Sequence, residues 1–121
     1  SEAAQSAYRK VYDATEVGLR LVRPGITAEE LYCEMANVLK LDQGSGSVGR
    51  LGHGLGMQLT EWPSHMPGDK TVLKERMVIT LEPSLTFDKK KIMVLEENIV
   101  VRDGPAELLT YRAPEEIPVI Y

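Results

Sequence analysis

The sequence predicts an α+β fold in which two helices pack on one face of a mainly antiparallel sheet. Three observations carry this. Apolar residues recur at helical spacing up to about Leu39, a glycine-rich stretch from Asp42 to Gly56 interrupts them, and four short β-prone runs follow, separated by Gly, Pro, Asp and Lys clusters. A chain of 121 residues with 43% hydrophobic content suffices for one compact core, and no internal repeat divides it.

In the first helix, Ala7, Val11, Ala14, Gly18 and Leu21 recur in steps of three and four, while Arg9, Lys10, Asp13, Glu16 and Arg20 take the other positions. This amphipathic pattern spans Glu2 to about Leu21, and RPG at Arg23–Gly25 ends it. Thr27, with Glu30 three positions on, forms a capping box that launches Leu31, Met35 and Val38 along one face of a second helix to about Leu39. DQGSGSVGRLGHGLG, 42–56, holds six glycines and two serines and reads as a loop. Strands are expected over 56–62, 76–83, 91–101 and 106–112. Lys89–Lys91, following Asp88 between two apolar runs, reads as a solvated turn.

Eighteen acidic against fourteen basic residues give a net charge of -4, and the basic residues are scattered apart from Lys89–Lys91. No basic stripe exists for a phosphate backbone, so nucleic acid is not an expected partner. Cys33, the sole cysteine, has no internal disulfide partner. No run approaches the roughly 18 apolar residues of a membrane span, so no membrane partner is expected and the chain is read as cytoplasmic. It opens at Ser1 without a charged-then-apolar leader, which reads as a processed or cut start.

The charges with chemical interest lie on two of the expected strands. In MVITLE the alternation groups Glu82 with Val78 and Thr80, and Pro83 holds Glu82 toward extended geometry. In the 91–101 run Glu96 shares a face with Ile92, Val94 and Val100, yet both faces are apolar. Glu96, Glu97 or both must therefore point into apolar surroundings, where a carboxylate needs a cation, a hydrogen-bond partner or a proton. Antiparallel pairing of the two strands sets Glu82 against Glu96, with Cβ atoms about 4.5–5.5 Å apart. A divalent ion between them relieves their repulsion. Singly, a strand-end glutamate is more often a solvated residue and a lone histidine more often a packed one. Composition and periodicity thus carry only as far as a candidate metal site.

GHGLG with His53, TEWP beginning seven positions later, MVITLEP with Glu82 and LEENIVV with Glu96 stand in the order and approximate spacing of the pita-bread metallohydrolases. The chain resembles the C-terminal part of that superfamily, which includes methionine aminopeptidase, aminopeptidase P, prolidase and creatinase. The resemblance implies two divalent ions held by two aspartates, one histidine and two glutamates, with a metal-activated water attacking an amide carbon. By motif position His53, Glu82 and Glu96 are the ligands present, with His53 and Glu82 in catalytic roles: Glu82 as proton shuttle to the leaving nitrogen, Glu96 as the bridge between ions. Manganese, cobalt, zinc and iron all suit such a donor set. The glycines around His53 are expected to let substrate and metals approach the backbone closely.

The family's aspartates lie on strands that precede a helix like residues 2–21, and neither Asp13 nor Asp42 takes their place. The chain is therefore expected to be residues 1–121 of the C-terminal part of a pita-bread catalytic domain, without the upstream strands or any N-terminal domain. In this reading it is inactive alone and associates with the missing portion or with a second copy as a homodimer. Thr60 stands where the peptidases usually carry a second histidine, and Arg76 where a glycine usually precedes the strand. GHGLGMQLTEWPS and APEEIPVI resemble the ectoine-hydrolase-like branch of Xaa-Pro peptidases. The implied function is a metal-dependent hydrolase of the Xaa-Pro aminopeptidase and dipeptidase family acting on a small peptide. Two alternatives are a small-molecule C–N hydrolase acting on a cyclic amidine and a non-catalytic binding module. Thr60, Glu61, Trp62 and His65 are the candidate substrate-contacting residues.

Overall fold

The computed structural model of the chain describes residues 1–40, 50–56 and 60–118. Helix α1 (Glu2–Leu21) begins at Ser1, whose hydroxyl caps the Ala4 N–H. It buries Ala7, Val11, Ala14 and Gly18 and half-buries Leu21, the face its spacing predicts. Helix α2 (Ala28–Leu39) starts at the expected N-cap, the Thr27 side chain accepting the Glu30 N–H at 3.1 Å. Leu31 and Met35 are buried and Val38 half-buried. The helices pack on each other. At Gly18 the approach is close, because a Cβ there would stand 3.1 Å from both the Leu81 and Met35 side chains.

Strands β1 (His53–Gly54), β2 (Glu61–Ser64), β3 (Val78–Leu81), β6 (Glu97–Val100) and β7 (Glu107–Leu108) form an antiparallel sheet in the order β2-β1-β3-β6-β7. Strands β4 (Ser84–Phe87) and β5 (Lys91–Val94) pair as a separate hairpin against which α1 also packs. Ile79, Leu81 and Ile99 of the sheet meet Val11, Leu31, Met35 and Leu39 of the helices in one core. The α+β expectation of two helices on a mainly antiparallel sheet describes this architecture.

Several boundaries differ from those expected, with the 106–112 run reduced to β7. His53–Gly54 lies inside the expected loop but forms β1, since it is paired on both sides by β2 and β3. The rest of that loop and the start of the 56–62 strand include residues 41–49 and 57–59, which lie outside the described residues. Strand 91–101 is two strands, and the expected connection after Pro83 contains β4. Asp88 (φ 47°) and Lys89 (φ 71°) adopt left-handed conformations that reverse the chain tightly, so its flanks zip into a hairpin. The exposed turn at 88–90 holds Lys89 and Lys90, while Lys91, expected in the turn, opens β5.

The β4–β5 pairing, Ser84 opposite Val94, continues the register of β3–β6, Leu81 opposite Glu97. The two form one long antiparallel ribbon interrupted at Glu82–Pro83 and Leu95–Glu96. Pro83 has no N–H to donate, and the Glu82 N–H turns to the Leu51 carbonyl at 2.8 Å. Glu82 and Glu96 therefore face each other where the ladder opens.

Candidate metal centre

Three side chains converge at that opening. A bulge between His53 and Gly54 in the β1–β2 pairing re-aims the histidine. The His53 Nδ1 lies 2.9 Å from the Gly54 carbonyl. A carbonyl oxygen only accepts, so Nδ1 carries the hydrogen and Nε2 is the nitrogen turned to the site. Nε2 stands 3.0 Å from Glu82 Oε1, which also accepts the Thr80 hydroxyl at 3.2 Å. Glu96 reaches the same carboxylate. Its hydrogen bond to Glu82 pushes the Glu96 carboxyl above its ordinary value, with burial and the Glu82 charge adding to the shift and His53 opposing it.

The chemistry of this donor set fits a divalent cation. Two carboxylates stand against each other where a metal would supply the positive charge, and a backbone carbonyl orients the imidazole, as in known metal sites. Among the described residues no group of three His, Cys, Asp or Glu side chains is arranged to hold an ion. Glu82 bonds both His53 and Glu96 instead.

Glu97, the alternative candidate for apolar burial, is enclosed at 1% exposure and has its cation: Arg112 Nη1 donates to Oε2 at 3.0 Å, and the Ala113 N–H at 2.9 Å. Arg112 also binds Glu16 and the Tyr12 carbonyl, with its guanidinium 4.0 Å from the Tyr12 ring centre. Successive strand residues face opposite ways. Glu97 points into the core and Glu96 out toward Glu82.

The glycines serve a different purpose from the one expected. At Gly52 (φ 150°) a Cβ would lie 2.2 Å from the Thr80 carbonyl oxygen and 2.4 Å from His65 Cδ2, and at Gly54 2.3 Å from the Trp62 carbonyl oxygen. The carboxylate of Glu61 fills the space a side chain at Gly56 would need. The bare backbone admits the protein's own strands and side chains.

Thr60 and Trp62 are exposed, Trp62 to 76%, and Glu61 is half-buried over Gly56. His65 is fully buried, its Nε2 donating to the Thr80 carbonyl at 2.9 Å and its Nδ1 without a hydrogen-bond partner. Thr80 and Arg112 are functional candidates the sequence reading left unassigned. Thr80 carried a signal, since it shares a strand face with Glu82. Arg112 meets Glu97 only through the tertiary fold.

Burial lowers the pKa of His65 from 6.5 to about 4, against the opposing hydrogen bond to Thr80. The unfolded chain binds a proton at His65 between those values and the folded chain does not, so stability falls with pH across that window and levels off below about 4. The expected loss is about 3 kcal/mol. Denaturant titrations from pH 7 to 4 should show a steeper decline for the native chain than for His65→Gln. Equal slopes would refute the assignment.

The profile of metallopeptidase family M24 matches residues 1–103. An Xaa-Pro dipeptidase of Pyrococcus furiosus is 34% identical over 112 residues, covering 91% of this chain and 32% of its own length. A crystal structure of the prolidase from Pyrococcus horikoshii superposes with a TM-score of 0.82 at 34% identity, over 93% of this chain and 33% of that one. An X-Pro aminopeptidase from Thermotoga maritima gives a TM-score of 0.82 at 27% identity, over 95% and 33%. The chain thus spans about a third of the length of these relatives. Their fold is the pita-bread fold that the motifs implied.

Proposed function

Since this chain belongs to metallopeptidase family M24, we propose that it contributes His53, Glu82 and Glu96 to a dinuclear metal centre that hydrolyses the C–N bond of an Xaa-Pro dipeptide. The convergence of these three side chains where the β-ribbon opens is the observation that supports it. When bound, such ions would activate water and polarise the scissile carbonyl. Glu82, hydrogen-bonded to both His53 and Thr80, is placed to hold a proton and pass it to the leaving nitrogen. Glu96, directly opposite, would help hold both ions. Glu61 and Trp62, beside the site on β2, and Thr60 just before them contact the substrate. His65, buried beneath Thr80, holds that strand in place rather than touching substrate.

Thr60 supports a second reading. An exposed threonine takes the position of the second histidine of the peptidases, which favours a small cyclic amidine over a peptide as substrate. The metals are manganese, cobalt, zinc or iron, and the family's two aspartates come from a segment beyond residues 1–121. Ile92 and Val94 are exposed on β5, and Leu109 and Tyr111 are exposed beyond β7, which supports association with that segment or with a second copy as a homodimer. Among the described residues no helix is long and apolar enough to cross a membrane.

Residues 1–121 alone are expected to bind Mn2+ or Co2+ more weakly than micromolar and to leave both a proline dipeptide and a cyclic amidine intact. Micromolar affinity by calorimetry would show that the aspartates are not needed. In a chain of the relatives' full length, Glu82→Gln should lower turnover by about 10²–10⁴-fold. Full activity in that variant would remove Glu82 from the chemistry, and the substrate cleaved decides between the two readings.

A further inference from the structure

Thr80 joins His53, Glu82 and His65. It lies on the central strand β3, between β1 and β6, at 1% exposure. Its hydroxyl oxygen accepts the His53 backbone N–H at 3.0 Å, and its hydroxyl hydrogen goes to Glu82 Oε1 at 3.2 Å. Its carbonyl accepts the His65 ring at 2.9 Å. A backbone N–H only donates, so the threonine oxygen accepts there, and its own proton is available to the Glu82 carboxylate.

We propose that Thr80 is a positioning residue: one hydroxyl clamps the backbone of His53 and the carboxylate of Glu82 together, so that Nε2 of the imidazole and the Glu82 oxygens address one point. The inference rests on the metal reading above. Thr80 takes no part in bond making. It restricts the rotation of Glu82, which at 29% side-chain exposure has room to turn away, and it accepts the buried His53 N–H. Hydrogen-bond partners that hold ligating carboxylates commonly account for 10- to 100-fold in metal affinity. Valine matches threonine in shape and lacks both bonds; serine keeps both.

The test is nuclear magnetic resonance on the 121-residue chain with Thr80→Val and Thr80→Ser, with Mn2+ titrated to millimolar concentration and His53 ring signals as the probe. Thr80→Val should shift the His53 imidazole nitrogen resonances without metal and require about 10- to 100-fold more Mn2+ for the same broadening. Thr80→Ser should return both to within about threefold of the native chain, a rescue that packing alone does not supply. Unchanged His53 ring resonances in Thr80→Val overturn the proposal, and so does a serine variant that behaves like valine. No Mn2+ effect at His53 in the native chain leaves the metal-free shifts to decide the role of Thr80. If Thr80→Val does not fold, the native chain decides: a slowly exchanging Thr80 hydroxyl proton with a nuclear Overhauser contact to the His53 amide supports the clamp, and a freely exchanging one overturns it.

Discussion

Arg112→Met is expected to destabilise the chain by about 3–5 kcal/mol, the cost of leaving a buried charge without its partner. Glu97 has 1% of its side chain exposed and Arg112 17%, so water does not replace the lost guanidinium. The damage should extend beyond the pair. Arg112 is also the contact through which the segment after β7 reaches Glu16 and the Tyr12 carbonyl of α1. Removing both charges together, as Arg112→Met with Glu97→Leu, should recover much of the loss, because the desolvation cost then disappears with them. Urea unfolding of the two single variants and the double variant measures this as a cycle. A single variant within about 1 kcal/mol of the native chain would mean the pair is solvated in solution, against the burial described here.

Gly52→Ala should cost about 3–5 kcal/mol, from left-handed backbone strain together with overpacking against a rigid neighbour. The position is at φ 150°, and the added Cβ would meet the Thr80 carbonyl oxygen at 2.2 Å. That neighbour is backbone in the central strand and cannot move aside. Gly68→Ala is the control: its φ is 89°, but no atom lies within 4 Å of the new Cβ. Only the conformational term of about 1 kcal/mol remains there. Thermal melts of both variants test the contrast, and equal losses would show that crowding at Gly52 is relieved by movement of β1.

Both variants act on residues that differ in how far local sequence reveals them. Helix α1 and helix α2 were legible because an amphipathic helix repeats its core face every three or four residues, and a cap needs only neighbours in the chain. Glu82 and Glu96 were legible as a facing pair because strand alternation and a short connection constrain the register. The β4–β5 hairpin was not legible. It depends on left-handed conformations at Asp88 and Lys89, which non-glycine residues seldom adopt and which composition does not announce. Strand β1 was hidden for a related reason, since glycine-rich composition favours a loop until two neighbours supply its hydrogen bonds.

The sequence by itself determined the helices, the antiparallel class, the family motifs and the three side chains proposed as ligands. The helices and the antiparallel class rest on periodicity along the chain, and the three ligands on the resemblance of its motifs to the pita-bread family. The tertiary structure decided which of two adjacent glutamates is buried on an arginine fifteen residues away and which is free to face Glu82. It also decided that the glycines around His53 make room for Thr80, His65, Trp62 and Glu61, and that Thr80 joins the histidine to the glutamate. Contacts of this kind depend on distances across the sheet and on directions of hydrogen bonding. Neither is encoded in any local window of residues, because each is set only when separate strands have come together.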